Sequence, residues 1–164
     1  MLVGTIGPNT ELCSPELYAF GVDLGKALAE AGHLIVCGGE GGFMEAVCRG
    51  VKESSQSFFG QTIGLLPALD AAQANPYVDV PLPTGMGVMR NVLIVRAAQV
   101  LIAAGGGAGT LSELAMAWQH GKRVICLTSF GGWTAELAGR NLDHRYNHLL
   151  LPAATLEEVL QKLG

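Results

Sequence analysis

The chain has 164 residues, and 10 Lys+Arg against 14 Asp+Glu leave a net charge of −4. With 49 % hydrophobic and 15 % charged residues and a mean hydropathy of +0.36, it is too apolar for a disordered chain and fits one domain, residues 1–164, with a sizeable core. The acidic balance argues against a nucleic-acid partner, and no apolar run approaches the roughly 18 residues of a membrane span.

Leu2–Ile6 reads as a strand that ends in the turn Gly7-Pro8-Asn9. Ser14-Pro15-Glu16 supplies an N-cap, a proline for the first helical position and a first-turn acid. Leu17, Phe20, Leu24, Ala27 and Leu28 then recur at helical spacing until Gly32. Leu34–Cys37 is a second strand, closed by Gly38-Gly39-Glu40-Gly41-Gly42, and Phe43–Val51 is a helix. Thr62–Leu66 is a third strand. The proline-bearing stretch after it reads as a loop, with Tyr77–Val80 as a short strand inside it. Val88–Ala98 reads as a helix, Val100–Ala104 as a strand, Gly105–Gly109 as a glycine loop and Thr110–His120 as a helix. Arg123–Leu127 is a strand and Thr155–Leu163 a closing helix. Near-continuous apolar strands alternating with helices predict a Rossmann-like, doubly wound α/β fold, with helices on both faces of a mostly parallel sheet. Ligands of such sheets bind beyond the carboxyl ends of the strands, and every glycine cluster here falls at such an end.

Met1 leads into Leu2-Val3-Gly4 without a basic segment, so no secretory leader and a cytoplasmic location are expected. Cys13, Cys37, Cys48 and Cys126 form no CxxC and read as inert thiols. His144, His148 and Asp143 have superficial metal-ligand spacing, but their polar neighbours suggest an exposed loop with no third ligand, so no protein-ligated metal is expected. Trp118 and Trp133 are expected in the core or at an interface.

The strongest local signal is Val100-Leu101-Ile102-Ala103-Ala104 running into Gly105-Gly106-Gly107-Ala108-Gly109-Thr110 and then Leu111-Ser112-Glu113. Small residues at a helix start let an anion approach free N–H groups at the positive end of the dipole, which makes a phosphate site. Thr110 either caps the helix or binds a phosphate oxygen. Glu113 is either half of a capping box with Thr110 or a carboxylate aimed at a sugar. No GK[ST] follows, so this is not a Walker A loop. Ile125–Phe130 lacks the acid that a dinucleotide fingerprint places about 20 residues on. Gly38, Gly39, Gly41, Gly42, Phe43 and Met44 repeat the strand–glycine–helix pattern, and Gly7-Pro8 adds a third turn. Thr84-Gly85-Met86-Gly87 leads to Arg90-Asn91, where a cation at a helix start opposes the dipole unless an anion or a neighbouring acid offsets it.

These motifs resemble the Lonely Guy superfamily, often mislabelled lysine decarboxylase-like, and most of all its small branch containing the molybdenum cofactor carrier proteins. The likeness runs from about residue 2 to 135 and includes Gly64-Leu65-Leu66-Pro67 and Ala74-Asn75-Pro76-Tyr77. The carrier branch implies binding and protection of the molybdenum cofactor (molybdopterin), a phosphorylated pterin that holds its metal on its own sulfurs. The Lonely Guy enzymes imply an alternative: hydrolysis of cytokinin or other nucleoside 5′-monophosphates, with Arg90 and Glu113 as the catalytic pair. The chain departs from the enzymes at Asn91, where they carry Lys, at Ala104, where they carry Pro, and at Ile6-Gly7-Pro8-Asn9, where they open Cys-Gly-Ser-Ser. A regulatory nucleotide-binding module is a third reading. The resemblance also implies a homo-oligomer, dimer or tetramer, and the apolar character of the Val88–Ala98 and Thr110–His120 helices offers them as its expected interface.

Overall fold

The computed structural model describes residues 1–164. Seven strands form one sheet: β1 Leu2–Ile6, β2 Leu34–Cys37, β3 Thr62–Leu66, β4 Val80–Pro83, β5 Val100–Ala104, β6 Val124–Leu127 and β7 Leu150–Ala153. Six helices flank it: α1 Pro15–Glu30, α2 Phe43–Glu53, α3 Asn91–Ala97, α4 Ala108–Gln119, α5 Gly132–Leu137 and α6 Leu156–Leu163. The strand order is β4-β3-β2-β1-β5-β6-β7, and every pair is parallel. The fold is therefore the expected Rossmann-like α/β domain.

The strands read as unbroken apolar runs because both faces are covered. In β5, Val100, Ile102 and Ala104 enter one core cluster with Leu24, Phe43 and Val159, while Leu101 and Ala103 enter another with Ile94, Leu114 and Trp118. On the first face α1 and α2 cross at backbone contact. A Cβ on Gly25 would lie 2.1 Å from the Val47 carbonyl oxygen, and one on Gly50 1.9 Å from that of Val22. The α1 start follows the predicted signals: Ser14 accepts from Leu17 N at 3.2 Å, and Pro15 is the first helical residue.

Several elements differ from expectation. The short strand is Val80–Pro83, not Tyr77–Val80; Pro81 and Pro83 are tolerated because β4 is an edge strand. β7, which carries Pro152, is the other edge, and neither it nor α5 stands out in the sequence. The expected Val88–Ala98 helix is a 3-10 turn, Gly87–Arg90, followed by α3. α4 begins at Ala108, two residues early. Trp118 is core, whereas Trp133 is 44 % exposed. The Asp143 carboxylate is engaged by Trp118 Nε1 at 2.8 Å and by Arg145. Cys126 is fully buried, and burial pushes its thiol up to about 12. Cys37 and Cys48 are buried with their sulfurs 3.8 Å apart. No helix is long and apolar enough to cross a membrane.

Candidate functional site

β1 and β5 lie side by side, but the chain leaves β1 toward β2 and leaves β5 toward β6. The loops beyond their carboxyl ends therefore part, and a crevice opens at this switch point. Two clefts occupy it, of about 400 Å³ and about 530 Å³, and Pro8, Leu12 and Gly107 line both.

The smaller cleft gathers residues from four segments. Arg90 comes from the turn before α3 and Asn91 from the first position of α3, Glu113 and Thr110 from α4, Met44 from α2, and Gly7 and Pro8 from the β1 loop. Gly87, Gly107, Ala108 and Gly109 complete the predicted members that line it. Gly105 and Gly106 line the larger cleft, with Ser14, Glu16, Ser129 and Phe130.

The other predicted residues do not line either cleft. Phe43 is fully buried beneath Gly7, whose Cβ would meet its ring at 2.7 Å. Gly41 and Gly42 pack against Thr10 and Asn9, so they join two loops. Gly39 packs on Leu66, and Gly38 lies against the Arg90 guanidinium. Thr84, Gly85 and Met86 form a turn: Thr84 Oγ1 donates to Leu66 O at 2.7 Å and accepts from Met86 N at 3.2 Å, and Gly85 packs on Leu69.

The start of α4 is open. Gly107 is its N-cap without a side-chain cap, and the first backbone bond into the helix is Leu111 N to Gly107 O. The amides of Ala108, Gly109 and Thr110 have no backbone acceptor, as at any helix start. Thr110 lies inside the helix, so it neither caps it nor forms a capping box with Glu113. Gly107 and Gly109 are not required by packing. A Cβ on Gly107 would meet only Leu12 at 3.9 Å, and one on Gly109 nothing within 4 Å. Glycine costs a helix stability relative to alanine, and no neighbour within the chain requires it at Gly109.

Arg90 is 6 % exposed, and its Nη2 donates to Glu40 Oε2 at 2.7 Å and to Gly38 O at 3.4 Å. Nη1 donates to Asn91 Oδ1. The bound acid offsets the unfavourable placement at a helix start. Glu113 is also 6 % exposed, and its carboxylate makes no hydrogen bond within the chain. Burial pushes its carboxyl up to about 7; Arg90 opposes the rise and Glu40 adds to it. A buried arginine, a carboxyl poised between its two protonation states and an open helix start can together hold an anion and exchange a proton with what it carries.

Sequence reasoning overlooked Asn9, Leu12, Glu40, Pro67 and Val88, which also line this cleft. Only Glu40 carried a signal, as the one charged residue among four glycines. Its partner lies 50 residues away, and only folding brings the two together.

Fold and site define a Rossmann-like α/β protein with a polar crevice at its switch point. The chain belongs to the SLOG cluster4 family, whose model matches residues 1–160. It is similar to the X-ray structure of the protein TM1055, at 36 % identity and a TM-score of 0.89, over 99 % of this chain and 97 % of that one. It is also similar to the molybdenum cofactor binding protein of the phototrophic bacterium Rippkaea orientalis, at 30 % identity and a TM-score of 0.84, over 99 % and 94 %. The molybdenum cofactor carrier protein of Chlamydomonas reinhardtii matches at 28 % identity and a TM-score of 0.82, over 99 % and 95 %. These neighbours agree with the resemblance to the Lonely Guy-like superfamily near its carrier branch.

Proposed function

We propose that the protein is a carrier-type binder of the molybdenum cofactor, with the cofactor's terminal phosphate held at the start of α4. The observation that carries this reading is the open helix start, where Gly107 and Gly109 leave room in front of amides without acceptors. The residues present fit a phosphorylated pterin: the amides of Ala108, Gly109 and Thr110 and the Arg90 guanidinium would hold the phosphate. The metal arrives on the pterin's own sulfurs, so no protein ligand is needed. Similarity over 99 % of the chain to two cofactor-binding proteins supports the same ligand class.

Arg90 and Glu113 in one cleft favour a second reading, hydrolysis of a nucleoside 5′-monophosphate. A buried carboxyl near its midpoint at neutral pH can stabilise a developing sugar cation or move a proton. Anaerobic titration with purified molybdenum cofactor, beside adenosine and isopentenyladenosine monophosphates, separates the two. Saturable, tighter binding of the cofactor with both nucleotides left intact is the expected result. Release of free base by the wild type but not by Glu113→Gln would overturn the carrier reading in favour of the hydrolase.

A further inference from the structure

Arg90 is only partly satisfied. An arginine Nε–H and the adjacent Nη2–H form one edge of the guanidinium, which matches two neighbouring oxygens of a carboxylate or phosphate. Here Glu40 takes Nη2 alone, at 2.7 Å, and Nε is buried without any partner. A buried donor left unpaired is costly, so this arrangement is a poor resting place for a guanidinium. Glu40 is half in solvent, its side chain 46 % exposed against 7 % for Arg90. Its backbone is pinned: Asn75 Nδ2 donates to the Glu40 carbonyl at 2.9 Å, and Asn75 N donates to that of Gly39 at 2.8 Å. The side chain of Glu40 can swing outward without moving the loop that carries it.

We propose that Glu40 is a specificity-determining gate: it holds Arg90 in the free protein and is displaced by an oxyanion with two adjacent oxygens, such as a phosphomonoester. The gate rests on the reading of this cleft as an anion site. The incoming group gains Nε and Nη2 together, and Glu40 returns to water. A single-atom anion such as chloride must share one centre between the two N–H groups, so it matches that edge less well than two adjacent oxygens. Glu113 reports the exchange from the same cleft. The charged groups that act on it are Arg90 before α3 and Glu40 after β2, and the Cys37 thiol at the end of β2 senses it in turn. Removing the Glu40 charge withdraws one cause of the raised Glu113 midpoint and releases Arg90 to oppose it.

The test titrates inorganic phosphate into wild type, Glu40→Gln and Arg90→Lys at constant ionic strength. Carboxyl NMR follows the Glu113 midpoint in the first two. Loss of a half-exposed ion pair should tighten phosphate binding in Glu40→Gln by about two- to fivefold. The Glu113 midpoint should fall in that variant, and Arg90→Lys, which keeps the charge but lacks the paired edge, should bind more weakly than wild type. Phosphate binding by wild type that Glu40→Gln leaves unchanged or weakens would overturn the gate and leave the carrier reading standing. No phosphate binding by either wild type or Glu40→Gln would overturn both.

Discussion

Glu113→Gln should abolish a fall in stability that the wild type shows between about pH 4.5 and pH 8. The carboxyl is 6 % exposed without a hydrogen-bond partner, and burial moves it from 4.5 to about 7. The folded state therefore holds this proton more tightly than the unfolded chain. Its contribution is complete below about pH 4.5 and is lost as pH rises through 7. The shift corresponds to about 3 kcal/mol, or roughly 6–12 °C in Tm for a chain of this size. Urea denaturation of both proteins at several pH values between 4.5 and 8 measures it as a difference. His33 acts oppositely, because burial and the N-terminal charge lower its pKa, so that side chain makes stability rise with pH. The variant retains His33, and its effect cancels. A difference that stays flat, or that grows in favour of the wild type as pH rises, would refute the picture of a Glu113 carboxyl whose burial outweighs the opposing charge of Arg90.

Gly50→Ala should destabilise the protein by about 1–3 kcal/mol in urea titrations, since its Cβ would sit 1.9 Å from the Val22 carbonyl and force α1 from α2. Gly109→Ala should do the reverse, adding about 0.5–1 kcal/mol in the same titrations, because the position is helical and open. It should also weaken phosphate binding measured by calorimetry, and unchanged affinity would count against an anion at the start of α4.

Much of the fold was legible because its signals are local. Ser14-Pro15-Glu16 starts α1, and β2, β3 and β5 are apolar runs whose ends match the expected residues. β4 and β7 were hidden by prolines that signal a break in an isolated segment and are harmless once the strand lies at a sheet edge. α4 began earlier than expected because Thr110 looked like a cap, whereas in the fold Gly107 is the N-cap and Thr110 is buried within the helix.

By itself the sequence determined the alternation of strand and helix, the parallel sheet, the glycine loops at strand ends and Arg90 and Glu113 as the residues to watch. Hydrophobic periodicity, caps and turn chemistry act over a few residues, so they can be read without the fold. The tertiary structure alone decided which glycines face open space and which only join loops. Backbone closeness between distant segments sets that, as Gly41 against Thr10 and Gly109 in the open show. It alone also paired Glu40 with Arg90, left Nε without a partner and raised the Glu113 carboxyl. Those properties belong to burial and to charges brought together from β2, α3 and α4, which no local pattern in the chain records.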